Sequence, residues 1–215
     1  MSMMLPLFPL RVVLFPGRPL PLHIFEPRYQ RMLTDCLESD RRFGVVAIRS
    51  GHEVGECPEF FSVGTVAEIE DVRRFDDGRA DITTRGVRRF RILETVGGGA
   101  YLRARVETLA EEPVNGAVRQ PASLLRELLN PYLIDLGAPE ELLTRLPEHA
   151  EELAWLAASA VQVDLPEQQR LLELDSVDDR IAATVRILRR ETGIMRHLGT
   201  VGSLNPAGPG GAELN

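Results

Sequence analysis

The sequence contains no lysine, so all 25 of its basic residues are arginines. This absence excludes mechanisms built on a lysine amine: a P-loop grip on a phosphate, a Schiff base or a Ser–Lys catalytic dyad. Only two cysteines are present, Cys36 and Cys57. Two cysteines supply neither a disulfide framework nor a four-cysteine metal site, and they favour a reducing compartment.

Long apolar runs are also missing. No stretch approaches the ~20 apolar residues that a membrane-spanning helix needs. Residues 1–10 have no basic region and no long apolar centre, and prolines interrupt them, so they do not resemble a secretory signal peptide. We therefore predict a cytoplasmic protein without a membrane association.

The acidic excess is unevenly placed along the chain. The formal net charge is −7 over 215 residues, of which 44% are hydrophobic. Residues 1–110 are close to neutral, whereas the remainder carries nearly all of the negative excess. This asymmetry indicates two substructures, and it argues against general nucleic-acid binding, which favours a basic domain.

Residues 5–110 are predicted to be rich in β-strands. The dipeptide Asp77-Gly78 is a strong hairpin signal between strands over 68–74 and 80–85. Further strands are predicted over 43–48, 87–96 and 101–109. One amphipathic helix begins at Pro27, because apolar residues follow it with helical spacing. Strands in this succession, with one inserted helix, predict a curved sheet or small barrel.

After residue 112 the periodicity becomes helical. Four helices are predicted, the last two opened by Pro166 and by the capping sequence at Ser176. Glycine and proline are frequent in the tail. The predicted organisation is a β-rich unit over 1–112, an α-helical bundle over 113–198 and a disordered tail over 199–215. The fold class is therefore α+β.

Several segments resemble the N-terminal domain of Lon proteases and occur in the order found in that family. They are LPLFPLRVVLFPGRPLPLHIFEPRYQRML (5–33), FGVVAI (43–48), VGTVAEIEDV (63–72), DGRADITTRGVRRFRI (77–92), YLRARVE (101–107) and LPEQQRLLELDSVDDRI (165–181). The resemblance extends to about residue 198. It implies a PUA-like curved β-sheet or pseudo-barrel followed by an α-helical bundle, which agrees with the pattern of elements.

The resemblance also implies a function. In Lon the corresponding domain recognises substrates, and an ATPase module and a peptidase module follow it. This sequence has no GxxxxGK[ST] motif and no lysine for a Ser–Lys dyad. We therefore expect a non-catalytic module that uses no cofactor, and we expect no turnover of model peptides or esters.

Two weaker patterns have a non-functional interpretation that we prefer. The segment that begins His52-Glu53 superficially resembles the metal-binding motif HExxH, but the second histidine is absent, so a solvated loop is favoured. His23 and Cys36 could be posed as a base and a nucleophile. Cys36 falls on the apolar face of the first helix, where cysteine behaves as a small hydrophobic residue. No metal site and no catalytic residue is predicted.

One short segment is the densest in aromatic and polar side chains, and it supplies the predicted peptide-binding residues. These are Leu22, His23, Phe25, Arg28 and Tyr29, with nearby Arg85. The same residues could instead belong to the core. In particular, we expect Glu26, Arg28 and Arg85 to be partly buried, where a carboxylate and a guanidinium must pair.

Four arginines on two neighbouring predicted strands form a second candidate surface. Arg89 and Arg91 share one face of their strand, as do Arg103 and Arg105. Together they could bind phosphates, RNA or an acidic peptide. The preferred alternative is cross-strand pairing with nearby glutamates such as Glu107, because charges of both signs alternate here.

Trp155 lies off the apolar stripe of its predicted helix. The pattern leaves two alternatives open: a surface anchor for a partner, or packing against the β-rich unit.

The predicted function is recognition of an unfolded or degron-bearing polypeptide, or of one specific protein partner, in a groove near the junction of the two units. An open sheet edge could accept an extended segment as an added strand, or an apolar cleft could hold its side chains. An RNA-associated PUA-like protein is the alternative, which the acidic net charge disfavours. We expect a monomer or a dimer.

Overall fold

The structure is a computed structural model that describes residues 2–50, 59–110 and 119–202, without the side chains of 119–121 and 194–202. These ranges contain seven strands and six helices. The strands are β1 Ser2–Leu10, β2 Pro19–Ile24, β3 Arg42–Ser50, β4 Glu59–Phe60, β5 Val63–Arg74, β6 Ala80–Val96 and β7 Arg103–Thr108. The helices are α1 Pro27–Leu37, α2 Arg119–Asp135, α3 Glu140–Leu143, α4 Ala150–Ala160, α5 Leu165–Glu173 and α6 Val177–Gly202.

Five of the strands close into a small barrel. β1 pairs antiparallel with β7, β7 with β6, β6 with β5 and β5 with β3. The ring closes because β3 also pairs with β1, in parallel, from Gly44 opposite Leu7 to Ala47 opposite Leu10. The interior is filled by Leu5, Leu7, Val46, Val66, Phe90, Ala104 and Val106. The predicted pseudo-barrel in an α+β fold is confirmed.

β6 is one 17-residue strand where the sequence predicts two. A β-bulge explains the difference: Arg88 pairs with Val66, but the next residue of β5 pairs with Gly86, so one residue of β6 is left over. β3 pairs with β5 only as far as Glu68. Beyond that residue, β5 and β6 continue as a three-stranded extension with β2 at its side.

Helix α1 covers one face of this extension, as the apolar periodicity predicts. Its buried residues are Tyr29, Met32, Leu33 and Cys36. They pack with Ile24, Ile69 and Ile82 of the three strands in one hydrophobic cluster. The predicted hairpin is also found, because the Phe75 N–H donates to the Arg79 carbonyl at 2.9 Å and Gly78 adopts φ +84°.

The helical half contains four longer helices and one short helix, α3, that the sequence did not predict. Asp164 caps α5 by accepting from the Glu167 N–H at 2.9 Å. Ser176 caps α6 as predicted, accepting from the Asp179 N–H at 3.3 Å.

The predicted boundaries between the units fall only partly within the described residues. The boundary at 112/113 lies outside the described residues, and so does the tail from 203 onward. The expected start of the tail at Gly199 falls within α6, which continues to Gly202. The three-part division otherwise stays a prediction.

One hydrophobic cluster joins the barrel to the helices. Val13, Phe15, Ala47 and Val63 from the β part pack into it with side chains of α2, α4, α5 and α6. The barrel therefore forms one wall of the helical core, and the seam between them is the place where a groove can open.

Two buried arginines and a tryptophan hold this seam. Arg89 of β6 donates from Nη1 to the carbonyl oxygens of Leu172, at 3.0 Å, and Leu174, at 2.8 Å. The Arg180 guanidinium lies 3.4 Å from the ring centroid of Trp155. Trp155 is only 4% exposed, with its ring centroid 5.9 Å from that of Phe15. Of its two alternatives, packing against the β part is confirmed.

Candidate polypeptide-binding surface along strand β2

Strand β2 carries several of the predicted binding residues and lies at an edge of the sheet. Among the described strands it pairs only with β6. Pro19 and Pro21 are two residues apart, so their nitrogens point to the same side, and prolines in sheets turn that side to solvent. A proline nitrogen carries no hydrogen. The open edge therefore offers few donors, which disfavours an added strand and favours recognition through side chains.

At the Pro19 end of β2, a groove opens at the seam between barrel and helices. Its volume is about 260 Å³. We call it the junction groove. It is lined by Val12, Val13, Leu14, Phe15, Arg18, Pro19 and Leu20, and by Ser159 of α4 and Gln168 of α5. Most of its lining is apolar, and Val12 is 37% exposed.

Residues 11–18 form one wall of the groove, and we call them the junction loop. Hydrogen bonds with barrel strands β5 and β6 hold this loop in place. The Gly17 N–H donates to the Gly86 carbonyl at 2.8 Å, and the Gly86 N–H donates to the Arg18 carbonyl at 2.9 Å. Thr65 Oγ1 donates to the Leu14 carbonyl at 2.5 Å. A Cβ on Gly86 would overlap the Phe15 carbonyl oxygen, so only glycine permits this approach. The groove is therefore preformed.

Among the described residues, Arg18 is the one charged side chain that lines the junction groove. It is half-buried, and burial, followed by the nearby Arg85 guanidinium, lowers the pKa of Arg18 below its usual value. No carboxylate pairs with it among the described residues. Arg85 is compensated, because it pairs with Glu70 at 2.5 Å and also donates to the Gly17 carbonyl at 3.0 Å.

Beyond its other end, β2 leads into an exposed aromatic group. Phe25 is 54% exposed in the turn before α1. The His23 ring stacks on it at a centroid distance of 6.1 Å, and the Phe75 ring lies 6.3 Å from His23. His23 Nδ1 is 2.6 Å from Asp81 Oδ1, which fixes the imidazole. We call His23, Phe25 and Phe75 the aromatic tip.

A shallow depression connects the groove and the tip. It has a volume of about 440 Å³, and Pro21, Leu22 and His23 line it from β2. Successive residues of one strand therefore line the junction groove, the depression and the aromatic tip. We call this continuous strip the β2 surface.

The remaining predicted binding residues serve the core or pair locally. Tyr29 is buried, with its ring centroid 4.0 Å from that of Phe8. Arg28 pairs with Glu26 at 2.9 Å and lies 4.6 Å from the Tyr29 ring centroid. Arg85 lies at the opposite end of β2, opposite Pro19 in register. The expected pairing of a partly buried carboxylate and guanidinium is found for Glu26 and Arg28, whereas Arg85 is exposed and pairs with Glu70.

Sequence reasoning identified none of the residues that line the junction groove, Val12, Arg18, Ser159 and Gln168 among them. The exposed Val12 next to the turn signal Pro16-Gly17 could have marked the loop. Nothing in the sequence placed Ser159 and Gln168 beside it, because that contact is set by how the helices dock.

The arginines of β6 and β7 do not form the predicted basic strip. Arg89 is buried, and its guanidinium binds backbone carbonyls, so it does not lie on the surface. Arg91 pairs with Glu107 at 3.5 Å and Arg105 pairs with Glu94 at 3.0 Å, which is the cross-strand alternative. Arg103 is exposed. The surface here has alternating charge.

The described residues do not support the posed nucleophile. Cys36 is buried and donates from Sγ to the Arg42 carbonyl at 3.3 Å. Burial, and then Asp40 and Asp35, raise the pKa of Cys36 to about 12. The interpretation of Cys36 as a core residue is confirmed. The segment that begins His52-Glu53 lies outside the described residues.

The described part of the chain contains neither a cluster of metal-ligating side chains nor a helix that could span a membrane. No group of three or more His, Cys, Asp or Glu side chains is placed to hold a metal ion there. No described helix combines the length and the apolar character needed to cross a membrane.

Comparison with known proteins gives a family match over most of the chain. Residues 4–190 match the model of the ATP-dependent protease La (LON) substrate-binding domain. The Lon protease of Anaeromyxobacter dehalogenans and Lon protease 2 of Myxococcus xanthus are each 29% identical over 200 residues. Each match covers 89% of this chain and 24% of the relative. The chain thus spans about a quarter of the length of these relatives.

Solved structures show the same fold. The Lon N-terminal domain protein from Xanthomonas campestris is 26% identical, with a TM-score of 0.63, over 84% of this chain and 95% of that one. The N-terminal domain of the Mycobacterium avium complex Lon protease is 20% identical, with a TM-score of 0.70, over 87% of this chain and 98% of that one.

Proposed function

Because the chain belongs to the family of Lon substrate-binding domains, we propose that it is a non-catalytic module that binds unfolded or degron-bearing polypeptide along the β2 surface. The observation that carries this proposal is the preformed junction groove. Its apolar wall is fixed by backbone hydrogen bonds to Gly86, so a partner meets it without ordering the loop first.

The dimensions of the β2 surface indicate how a segment would lie. β2 has six residues, and an extended chain advances about 3.3 Å per residue, so the strand is roughly 20 Å long. A bound segment of similar length can place one apolar side chain in the junction groove and a second one on Phe25. The free energy gained by burying two such side chains is partly offset by the free energy of ordering the segment. The result is weak binding that many sequences can satisfy.

Designed peptides test this proposal directly. We would measure the fluorescence anisotropy of labelled peptides made of glycine and serine, with two leucines separated by five residues, on titration with the protein. We expect Val12→Ser and Phe25→Ala each to weaken binding at least about five-fold, since each removes one apolar anchor. Ile134→Ser is the matched control, because Ile134 is 56% exposed but lies on α2, away from β2.

Two results would contradict the proposal. One is a wild-type protein that binds the two-leucine peptide no better than a peptide of glycine and serine alone. The other is equal binding by all three variants. Circular dichroism of each variant confirms that the fold is retained. A single-stranded RNA oligonucleotide serves as the competing ligand, and binding that falls steeply with salt would support the RNA alternative instead.

A further inference from the structure

Arg18 gives the junction groove a chemical preference beyond apolar burial. Its side chain lines the groove beside Val12 and Leu20, and it is half-buried without a carboxylate partner among the described residues. A partly desolvated cation without a counter-charge is unfavourable, and an anion brought next to it gains a charge-assisted hydrogen bond.

The neighbours of Arg18 leave this position open to an anion from outside. The neighbouring Arg85 already pairs with Glu70, so that carboxylate is engaged elsewhere. On the helical wall, Gln168 adds a neutral amide and Ser159 a hydroxyl whose hydrogen is donated to the Leu156 carbonyl at 2.8 Å. In the described part of the chain, the groove therefore combines apolar walls with one uncompensated positive charge.

We propose that the junction groove selects polypeptide segments in which a carboxylate lies next to an apolar side chain. The apolar side chain packs against Val12 and Leu20, and the carboxylate pairs with Arg18. An acidic side chain and a chain terminus supply the same carboxylate chemistry. This inference rests on the proposed function, because it names the substrate class of the same surface.

A peptide series that differs at one position separates charge from burial. The peptides are the two-leucine glycine-serine peptides with Leu-Asp, Leu-Asn or Leu-Arg at the leucine meant for the groove, and a fourth ends in leucine with either a free or an amidated terminus. We expect the wild type to bind Leu-Asp about ten-fold more tightly than Leu-Asn, the factor typical of one charge-assisted hydrogen bond, and Leu-Arg least tightly. Raising the salt concentration should reduce the preference.

Two arginine variants identify the residue responsible. Arg18→Gln should bind Leu-Asp and Leu-Asn with equal affinity, and a circular dichroism spectrum equal to that of the wild type shows that the fold is intact. Arg145→Gln removes an exposed arginine that follows α3 and should retain the preference. If amidation weakens the terminal-leucine peptide and Leu-Asp shows no gain, the terminus is the source of the carboxylate.

The outcomes distinguish this inference from the proposed function. Equal binding of Leu-Asp, Leu-Asn and Leu-Arg, with the terminal peptide insensitive to amidation, overturns the carboxylate preference and leaves polypeptide binding in place. A preference that persists in Arg18→Gln overturns the role of Arg18. Failure of every peptide to bind, Leu-Asn included, contradicts the proposed function itself.

Discussion

Replacing Gly86 by alanine should displace the junction loop from the barrel. The added Cβ would overlap the carbonyl oxygen of Phe15, which is backbone and cannot rotate away. Overpacking of this kind costs typically about 1–3 kcal/mol. The shift also weakens the hydrogen bonds that Gly86 makes with Gly17 and Arg18, each worth about 0.5–1.5 kcal/mol. We therefore expect the free energy of unfolding to fall by about 2–5 kcal/mol.

Urea unfolding followed by circular dichroism measures this loss. For a chain of this size, thermal unfolding should show a fall in Tm of roughly 4–20 °C, at about 2–4 °C per kcal/mol. Gly97→Ala is the matched control, because nothing lies within 4 Å of a Cβ built there, and its effect should stay within about 0.5 kcal/mol. Equal urea midpoints for the two variants would show that the loop is not held against Gly86, and would refute the preformed groove.

Two further predictions concern buried groups. Arg89→Met should destabilise the protein by about 3–5 kcal/mol, because it leaves the carbonyls of Leu172 and Leu174 unpaired. The control, Arg91→Met, should cost under about 1 kcal/mol, because Arg91 forms an exposed ion pair. Equal losses in the free energy of urea unfolding would contradict the buried role of Arg89. Cys36 should resist iodoacetamide at pH 8 in a variant without the other cysteine, since its pKa of about 12 keeps the thiol protonated until far higher pH; labelling at the rate of the unfolded chain would disprove this.

Local patterns predicted the elements whose causes are local. The spacing of Tyr29, Met32 and Cys36 defines the buried face of α1, because helical periodicity alone places positions i, i+3 and i+7 on one face. The turn at Gly78 needs a positive φ that glycine supplies without strain. In both cases the physical determinant lies within a dozen residues of sequence.

Features that depend on distant segments could not be predicted in the same way. Arg89 reads as a surface residue of a charged strand, and its burial depends on carbonyls 83 and 85 residues further along the chain. Trp155 left two alternatives open because its neighbours, Phe15 and Arg180, come from different parts of the fold. Of the aromatic tip, His23 and Phe25 were among the predicted residues and Phe75 was not. The exposure of an aromatic side chain is not encoded in its immediate sequence.

The barrel can close only after its last strand, β7, has been synthesised. β1 precedes the other described strands in the chain, and it pairs on one side with β3 and on the other with β7, which begins at Arg103. At about 5–20 residues per second, roughly 5–20 s separate the emergence of β1 from that of its second partner. Arg89 can form its hydrogen bond to the Leu174 carbonyl only after α5 has been synthesised. The junction groove gains its helical wall only when α4 and α5 dock. The nascent chain therefore completes its barrel before it forms the groove that we propose as a polypeptide-binding site.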